Sequence, residues 1–346
     1  MSMNLKFLDP SSIPHWDAEV ATFPEANIFH TAAWAKTLME SYRYEPHYAV
    51  WYEGDTPAAI VPVMEVKSFI TGTRGVSLPF TDICPMLSRG PIYAPEAMDQ
   101  LSDFGRVKGW KALETRGLVE EAGEEDIPPA YYVHELDLLP GEEHLLSQVR
   151  SSTRRNIRKS EKQEVHVVEE NTIKGLNEFC RLNTLTRRDH GLPPQPGRFF
   201  ESLYKNVIEP GMGRILLAVH EGQYIASAVF LHFNGHAMYK YGASDKKYQN
   251  LRANNLLMWE AIRTYSSQGA RTFHFGRTEP ENTGLLQFKS GWGAVEGRLE
   301  YSKYDFKSKK WIPNPGSVSG FHTHLFSRMP LFALNLVGRV LYRHMG

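Results

Sequence analysis

A lysine near the C-terminal end of the chain has a setting that suggests chemistry. Lys289 lies in a predicted short helix between two glycine-containing turns, and its neighbours are the apolar residues Leu285, Leu286 and Phe288. A lysine in such surroundings either extends its ammonium group to water or presents it to a cleft. Only the second arrangement makes the charge available to a bound substrate.

The turn before this helix contains further polar candidates. Arg277 stands at the C-terminal end of a strand of buried type, where ligands bind in open sheets. Its guanidinium group suits a phosphate or a carboxylate, unless it pairs with an acidic residue of the loop that follows. Asn282 and Thr283 can cap the helix, and Gly284 in its first turn can present backbone N–H groups to an anion.

Two tyrosines and a basic run complete the candidate set. Alternation predicts Tyr239 and Tyr241 on one face of a strand, where they either line a cleft or pack within the sheet. Arg154 and Arg158 are four residues apart in the basic run 154–159 and share one side of a predicted helix. This run forms either a solvated face or an anion site for tRNA or a substrate diphosphate.

The composition narrows the class of protein. The 346 residues include 39 Lys and Arg and 39 Asp and Glu, and 42% are hydrophobic. These values predict a folded chain of about two domains without the basic excess of a DNA-coating protein. Cys84 and Cys180 are too few for a disulfide framework or a thiolate zinc site. With no signal-like N-terminus and no apolar run of ~18 residues, we expect a cytoplasmic location.

The second half of the chain has the clearest pattern of elements. Thr172 can cap a helix that runs to Asp189, and the Asn234-Gly235 pair is a strong hairpin signal. Period and turn signals predict further helices over 197–208, 250–268 and 283–289, and strands over 165–169, 214–220, 224–233, 236–243, 272–275 and 298–305.

The first half repeats this order of helix, three strands, helix and strand. Its predicted helices are 31–42 and 96–116, and its predicted strands are 47–52, 58–66, 75–80 and 131–138. The shared order indicates a divergent internal duplication. We therefore predict an α+β (α/β) fold of two tandem modules, 1–145 and 146–310, followed by a tail, 311–346. Each module is an antiparallel meander whose last strand leads into a crossover helix.

This order of elements resembles the GNAT acyltransferase fold, and two such modules in tandem resemble the FemAB family, which builds amino-acid bridges on peptidoglycan precursors. The closest similarity is to the branch associated with exosortase and exopolysaccharide systems. It rests on Phe273-His274-Phe275-Gly276-Arg277-Thr278, Asn282-Thr283-Gly284, Phe288-Lys289 and Gly291-Trp292-Gly293. Weaker similarities cover the basic run, and Leu78-Pro79-Phe80-Thr81-Asp82 with Arg89-Gly90-Pro91.

The resemblance implies transfer of an acyl or aminoacyl group to an amine or hydroxyl. In the bridge-forming relatives the lysine of the Phe-Lys pair contacts the reacting centre, so Lys289 is expected to stabilise the oxyanion. In the GNAT fold the strand that corresponds to 236–243 splays from its neighbour and exposes backbone to the acyl donor. No metal and no tightly bound cofactor is expected.

The donor is expected to be either an aminoacyl-tRNA or an acyl-CoA. Acetyl-CoA-using relatives have small residues where this chain has Arg252 and Asn254, and longer side chains would obstruct the approach of phosphates to the backbone. This departure favours the aminoacyl branch, although Arg252 can itself bind phosphate.

The expected acceptor is a small or lipid-linked saccharide or peptide precursor of the cell envelope or of an exopolysaccharide. Two alternatives stay open: an acetyl-CoA-dependent N-acetyltransferase, and a non-catalytic scaffold protein of a polysaccharide export system. A scaffold would have no reason to retain Lys289 and Arg277 as a cationic pair.

The tail contains one further predicted helix, over 330–344. Asn335, Arg339 and Arg343 form a narrow polar stripe on it, and apolar residues cover the rest of its circumference. Fifteen residues rise only ~22 Å, too little to span a bilayer of ~30 Å. The helix therefore either contacts the inner face of the membrane peripherally or packs on the protein itself.

Overall fold

The computed structural model describes residues 3–90, 94–117, 130–313 and 326–346. The chain divides into two compact units. The first comprises Met1–Tyr131, Arg298–Ser317 and Leu341–Gly346, and the second comprises Tyr132–Gly297 and Val318–Val340.

The described helices connect the strands of both units. They are α1 (Trp16–Val20), α2 (Ala32–Tyr42), α3 (Ala94–Val107), α4 (Glu142–Gln148), α5 (Ser151–Lys162), α6 (Ile173–Asp189), α7 (Gly197–Leu203), α8 (Ala253–Ser267), α9 (Thr283–Ser290) and α10 (Leu331–Met345). A π-helical segment, Tyr204–Met212, follows α7, and short 3-10 turns cover Pro10–Ser12, Ile28–His30 and Lys246–Leu251.

The described strands belong to three sheets. They are β1 (Asn4–Leu8), β2 (Glu45–Pro46), β3 (Tyr48–Glu53), β4 (Thr56–Val61), β5 (Met64–Ser68), β6 (Gly72–Ser77), β7 (Leu87–Ser88), β8 (Ala112–Arg116), β9 (Tyr131–Asp137), β10 (His166–Glu169), β11 (Gly213–His220), β12 (Gln223–Phe233), β13 (His236–Ser244), β14 (Thr272–Thr278), β15 (Val295–Leu299), β16 (Tyr301–Asp305) and β17 (Lys310–Pro313).

The second unit has the predicted meander and crossover. Strands β10 to β13 pair antiparallel in chain order, and α8 then leads to β14, which pairs parallel with β13. The full sheet has the order β10-β11-β12-β13-β14-β9-β15. One face packs on α8 through residues such as Phe230, Trp259 and Phe273, and the other carries Phe179 of α6 and Phe200 of α7. Helices on both faces bury the sheet.

The first unit has the same crossover but a divided meander. Strand β6 leads through α3 to β8, which pairs parallel with it. The predicted strand 58–66 is interrupted at Pro62, which has no N–H group for a ladder hydrogen bond. Strand β4 accordingly joins a sheet of order β1-β3-β4-β7, and β5 joins another of order β17-β16-β8-β6-β5-β2.

The predicted helix 96–116 is too long. Helix α3 ends at Val107, Gly109 has φ +70°, and the residues from Ala112 onward form β8. A left-handed glycine is a frequent helix terminator, so this glycine was the signal for the end of the helix. The predicted strand 298–305 is likewise two strands, because β15 and β16 belong to different sheets.

The two halves exchange their last strands. Strand β9, the last strand predicted for the first half, pairs with β14 of the second unit, and β16, predicted for the second half, pairs with β8 of the first. The units therefore have different bounds from the predicted modules 1–145, 146–310 and 311–346. The first unit ends at Tyr131 and resumes at Arg298.

Helix α10 buries one stripe and exposes another. Leu334, Gly338 and Tyr342, four residues apart, are buried, and a side chain at Gly338 would collide with the carbonyl oxygen of Pro194. The side chains of Phe332 and Leu336 are 78% and 59% exposed. Within the described residues, no helix combines the length and the apolar character needed to span a membrane.

We predict that Gly75→Ala destabilises the first unit. A Cβ at this position of β6 would overlap the ring of Trp110, which is buried and donates a hydrogen bond to Glu65 at 2.6 Å. Overpacking of this kind lowers the free energy of unfolding by about 1–3 kcal/mol. Urea denaturation measures this free energy of unfolding. Gly90→Ala is the control, because Gly90 is exposed and has open space around its Cα. Equal midpoints for the two variants would contradict this packing.

Candidate active site

The sheet of the second unit opens between β13 and β14. The two strands pair only through His236 with Thr272, Ala237 with Phe273, and Met238 with His274. Beyond Met238 they diverge, and each contains an extra residue soon after the last pair. The splayed strand that the family resemblance implied is therefore present.

Lys289 holds the bulge in β14. Gly276 has φ +73°, which favours glycine, and its N–H donates to Nδ1 of His274 at 2.9 Å. The Nζ atom of Lys289 donates to the carbonyl oxygens of Gly276 at 2.8 Å and Arg277 at 3.0 Å. Lys289 is 2% exposed. Its ammonium group thus stabilises the backbone carbonyls at the bulge of β14.

A histidine shares this buried environment. His134 of β9 is fully buried, and its Nε2 atom lies 3.2 Å from a carboxylate oxygen of Glu296. Burial is the main cause that holds the pKa of His134 below its ordinary value; the carboxylate of Glu296 raises this pKa and the positive charge of Lys289 lowers it. Burial thus favours the neutral imidazole.

The bulge in β13 separates the two tyrosines, so the prediction that they share one face is wrong. Tyr239 is paired with Phe230 and Tyr241 with Val229, which leaves Lys240 as the extra residue. Tyr239 packs against the ring of Phe230 on the α8 face. Tyr241 contacts a cluster of aromatic rings on the opposite face, Phe179, Phe199 and Phe200.

A pocket of about 360 Å³ lies at the C-terminal end of β13. Three predicted site residues meet here: Tyr239, Arg252 and Gly284. The remaining lining comes from the start of β12, the end of β13, the 3-10 turn that follows it, the first turn of α8, and α9: Ile225, Ala226, Ser244, Asp245, Tyr248, Gln249, Ala253, Asn254, Asn255, Leu285 and Phe288.

Tyr239 can donate a hydrogen bond in this pocket. Burial raises the pKa of its hydroxyl to about 12, so the group stays protonated at pH 7. Its hydroxyl also occupies the space that a Cβ at position 242 would need, so Gly242 is required for this rotamer. A protonated hydroxyl is suited to a developing oxyanion or to a departing alkoxide.

The first turn of α8 makes the pocket suitable for an anion. Arg252 precedes the helix, is exposed, and has the left-handed φ of +61°, a conformation that glycine adopts more readily. Helix N-termini carry unpaired N–H groups and a partial positive charge. Together with the guanidinium group they can bind a phosphate of an acyl donor.

The other predicted site residues lie elsewhere. Arg277 is partly buried on β14, Asn282 caps α9 by accepting from the N–H of Leu285 at 3.2 Å, and Thr283 is exposed beside it. Arg154 is partly exposed and Arg158 exposed on α5. These side chains and Lys289 are not among the residues that line the pocket.

Sequence reasoning missed Ser244, Asn255 and Phe288 as pocket residues. The positions of two of these residues in the predicted elements could have identified them, because Ser244 ends a strand and Asn255 lies in the first turn of the helix that follows it. This is where ligands bind in open sheets.

A carboxylate and histidine cluster in the first unit has the composition of a metal site. Ligand atoms of Glu45, His47 and Glu65 lie within 4.8 Å of one another. Lys67 Nζ lies 2.9 Å from both carboxylates, and Trp110 donates to Glu65. The lysine already supplies the positive charge that a cation would bring, so the cluster is an ion-pair network.

Comparison with known proteins agrees with this geometry. Residues 147–290, which include β13, β14 and the pocket, match a family described as "Acetyltransferase (GNAT) domain". The chain is 33% identical over 85 residues to "Lipid II:glycine glycyltransferase" of Staphylococcus haemolyticus (strain JCSC1435), a match covering 22% of this chain and 20% of that protein. The solved structure of FemX superposes with a TM-score of 0.67 and covers 89% of this chain and 98% of FemX. The chain resembles FemAB-type proteins, and its residues 147–290 match the GNAT family.

These comparisons confirm the family resemblance and the fold class. Sequence identity to FemX is 14%, so that likeness shows the fold alone. The structure of L-PGS from Bacillus licheniformis superposes with a TM-score of 0.51 at 14% identity, covering 86% of this chain and 91% of L-PGS. The match to the curated relatives spans about a fifth of their length.

We predict that Lys289→Met lowers stability. The change removes the donor to two backbone carbonyls in a buried setting, which should lower the free energy of unfolding by roughly 1–3 kcal/mol. Lys162→Met is the matched control, because Lys162 is exposed on α5. Denaturant unfolding of both variants measures the difference, and an unchanged midpoint for Lys289→Met would mean that the ammonium group does not support the bulge.

Proposed function

We propose that this protein is an acyltransferase that moves an aminoacyl group from a tRNA to an amine or hydroxyl of a cell-envelope precursor. The observation that carries the proposal is the pocket beside the opening of β13 from β14, with the protonated hydroxyl of Tyr239 in it. The GNAT match covers the same residues.

The proposed step is a direct transfer. The acceptor nitrogen or oxygen attacks the carbonyl carbon of the donor, and the tetrahedral intermediate carries a negative oxygen. The hydroxyl of Tyr239 donates to that oxygen. The new bond to the acceptor forms, the ester bond to the ribose oxygen breaks, and the proton of the acceptor goes to the leaving oxygen, directly or through water.

Lys289 has a positioning role in this proposal. The sequence led us to expect that it stabilises the oxyanion, but its ammonium group is directed at the carbonyls of Gly276 and Arg277. It sets the course of β14 and thereby the width of the opening. In this proposal Tyr239, and not Lys289, donates the hydrogen bond to the oxyanion.

The side chains at the first turn of α8 support a tRNA rather than a CoA thioester as the donor. Arg252 and Asn254 are exposed side chains at the pocket, where a close approach of CoA phosphates to the backbone would need small residues. A guanidinium group there suits the phosphate beside a terminal ribose. The basic residues Arg154 and Arg158 of α5 supply further contacts for a tRNA backbone in this proposal.

The acceptor is proposed by analogy with the curated relatives, whose name specifies lipid II. A lipid-linked acceptor would be met at the inner face of the membrane. The exposed stripe of α10, Phe332, Leu336 and Val340, lies beside Arg339 and Arg343, which is the pattern of a helix at an anionic lipid surface. A precursor of an exopolysaccharide is the second acceptor to be tested.

The two tyrosines provide a matched pair of variants. Tyr239→Phe should reduce the rate of transfer by ~10²-fold or more, as for loss of one oxyanion donor. Tyr241→Phe removes the same hydroxyl from the opposite face of the sheet and should retain the rate within about two-fold. Single-turnover assays with both proteins measure the effect. Equal rates for the two variants would remove Tyr239 from the mechanism.

The choice of donor is tested with labelled substrates. Purified protein is incubated with lipid II or an exopolysaccharide lipid intermediate and with either [¹⁴C]aminoacyl-tRNA or [¹⁴C]acetyl-CoA. We expect label transfer from the tRNA alone. Transfer from acetyl-CoA, lost in Arg252→Ala, would establish an N-acetyltransferase instead, and no transfer from either donor to either acceptor would favour the scaffold alternative.

A further inference from the structure

One end of the six-stranded sheet in the first unit carries three neighbouring turns. The segments 67–72, 106–111 and 306–310 contain the turns between β5 and β6, between α3 and β8, and between β16 and β17. Strand β8 pairs parallel with β6 and antiparallel with β16, so all three turns lie at the same end of adjacent strands. We refer to these three segments together as the turn surface.

Backbone and side-chain contacts hold the three turns against one another. The N–H of Lys111 donates to the carbonyl oxygen of Thr73 at 2.8 Å, and the N–H of Phe306 donates to the carbonyl oxygen of Lys111 at 3.2 Å. The side chain of Lys111 lies over the β5–β6 hairpin, since a Cβ at Gly72 would meet its Cδ, Cε and Nζ atoms. The turn surface is therefore one fixed surface and not three independent loops.

Large apolar side chains project from the turn surface into solvent. Phe69 and Ile70 at the tip of the β5–β6 hairpin are 85% and 58% exposed, and Val107 at the end of α3 is 88% exposed. Ser68 fixes the backbone of the tip, because its hydroxyl accepts from the N–H groups of Ile70 and Thr71, both at 3.1 Å. Turns of this kind need polar or glycine residues and have no conformational use for large apolar ones. Their exposure together at one end of a sheet indicates a binding partner.

The turn surface is basic. Its three segments contain no Asp or Glu, and their cationic residues are all exposed: Lys67, Arg106, Lys108, Lys111, Lys307, Lys309 and Lys310. Within the described residues, three carboxylates form ion pairs with this set. Glu45 and Glu65 each lie 2.9 Å from Nζ of Lys67, and Asp103 lies 2.6 Å from Arg106. The cations outnumber these carboxylates, so the surface attracts anions.

A bilayer that contains anionic lipids fits both properties. Lysines near such a bilayer are attracted to its surface, and apolar side chains beside them enter the boundary between headgroups and acyl chains. Trp311, which follows the last segment, is 40% exposed, and tryptophan is enriched at this boundary. A nucleic acid would also attract the lysines and could stack on Phe69. It would leave the aliphatic side chains of Ile70 and Val107 in water, so a lipid surface is the better match.

We propose that the turn surface is a peripheral docking site for a bilayer containing anionic lipids. Phe69, Ile70 and Val107 insert between the lipid headgroups, and the surrounding lysines contact lipid phosphates. This inference goes beyond the proposed function, because it concerns the first unit and needs neither an acyl donor nor an acceptor. It is also separate from the exposed stripe of α10, which none of the three segments contains.

Vesicle sedimentation with the full chain tests the proposal. The probes are vesicles of phosphatidylcholine alone and vesicles that also contain about 30% phosphatidylglycerol, without donor or acceptor. We expect the phosphatidylglycerol vesicles to bind at least about ten-fold more tightly, because several lysines contribute. Raising NaCl from ~0.1 M to ~0.5 M should weaken this binding, because salt screens exposed charges.

Two pairs of apolar residues provide matched variants. Phe69→Ser combined with Ile70→Ser should weaken binding to the anionic vesicles by about ten-fold or more, because less apolar area leaves water. Leu139→Ser combined with Ile173→Ser removes two exposed apolar side chains from the second unit and should retain the affinity within about two-fold. Both variants should keep the parental melting temperature, since all four side chains are more than half exposed.

Two pairs of lysines test the charge in the same way. Lys111→Gln combined with Lys307→Gln should weaken binding to the anionic vesicles by about twenty-fold, at about five-fold for each charge. Lys162→Gln combined with Lys174→Gln is the control, because both lysines are exposed in the second unit. Fluorescence anisotropy with bulk tRNA, measured on the same variants, tests the nucleic-acid alternative.

Three results would overturn the inference. They are no binding of the folded chain to anionic vesicles, unchanged vesicle affinity in the variant of Phe69 and Ile70, or weaker tRNA binding with intact vesicle binding in the variant of Lys111 and Lys307. Failure of the proposed function is recognised separately. Tyr239→Phe should bind vesicles as the parent does, and the variant of Phe69 and Ile70 should transfer at the parental rate to an acceptor dissolved in detergent.

Discussion

The contact between the Lys289 ammonium group and the carbonyls of Gly276 and Arg277 is the interaction on which the site depends. A strand that bulges away from its neighbour leaves carbonyl groups that no ladder can pair, and buried carbonyls without a donor are strongly unfavourable. A lysine brought in on α9 satisfies both. The Phe-Gly-Arg and Phe-Lys parts of the sequence signature therefore meet in one contact. Gly276 adopts the left-handed conformation of the bulge, and Lys289 donates hydrogen bonds to the carbonyl groups there.

The opening of the sheet follows from that contact. Strand β13 pairs with β14 through only three residues. Just beyond them, Lys240 is an extra residue in the pairing of β13 with β12. One extra residue reverses the side-chain alternation. Tyr239 is thereby placed toward the pocket at the end of β13, and Tyr241 toward the aromatic cluster of α6 and α7 that includes Phe200. A single bulge thus gives two neighbouring tyrosines different surroundings.

Much of the second unit could be predicted because its signals are local. Periodicity, the Asn234-Gly235 turn and the capping Thr172 located the strands and helices to within a few residues. The tyrosine faces were mispredicted because a bulge depends on cross-strand pairing, which alternation along one strand does not contain. The sequence singled out Lys289 for the oxyanion, but the hydrogen-bond acceptors of its ammonium group are backbone carbonyls 12 and 13 residues away, whose orientation only the fold determines.

The exchange of β9 and β16 between the halves has a consequence for synthesis of the chain. The β8 edge of the six-stranded sheet in the first unit cannot be paired until Tyr301–Asp305 has been made, about 170 residues after the unit first ends at Tyr131. At typical elongation rates of roughly 5–20 residues per second this delay is about ten to thirty seconds. Throughout it the edge of β8 that β16 will cover is unpaired, and an unpaired edge is the part of a sheet that aggregates. The nascent chain therefore has to protect that edge on the ribosome, and the second unit must be translated before the first can reach its final form.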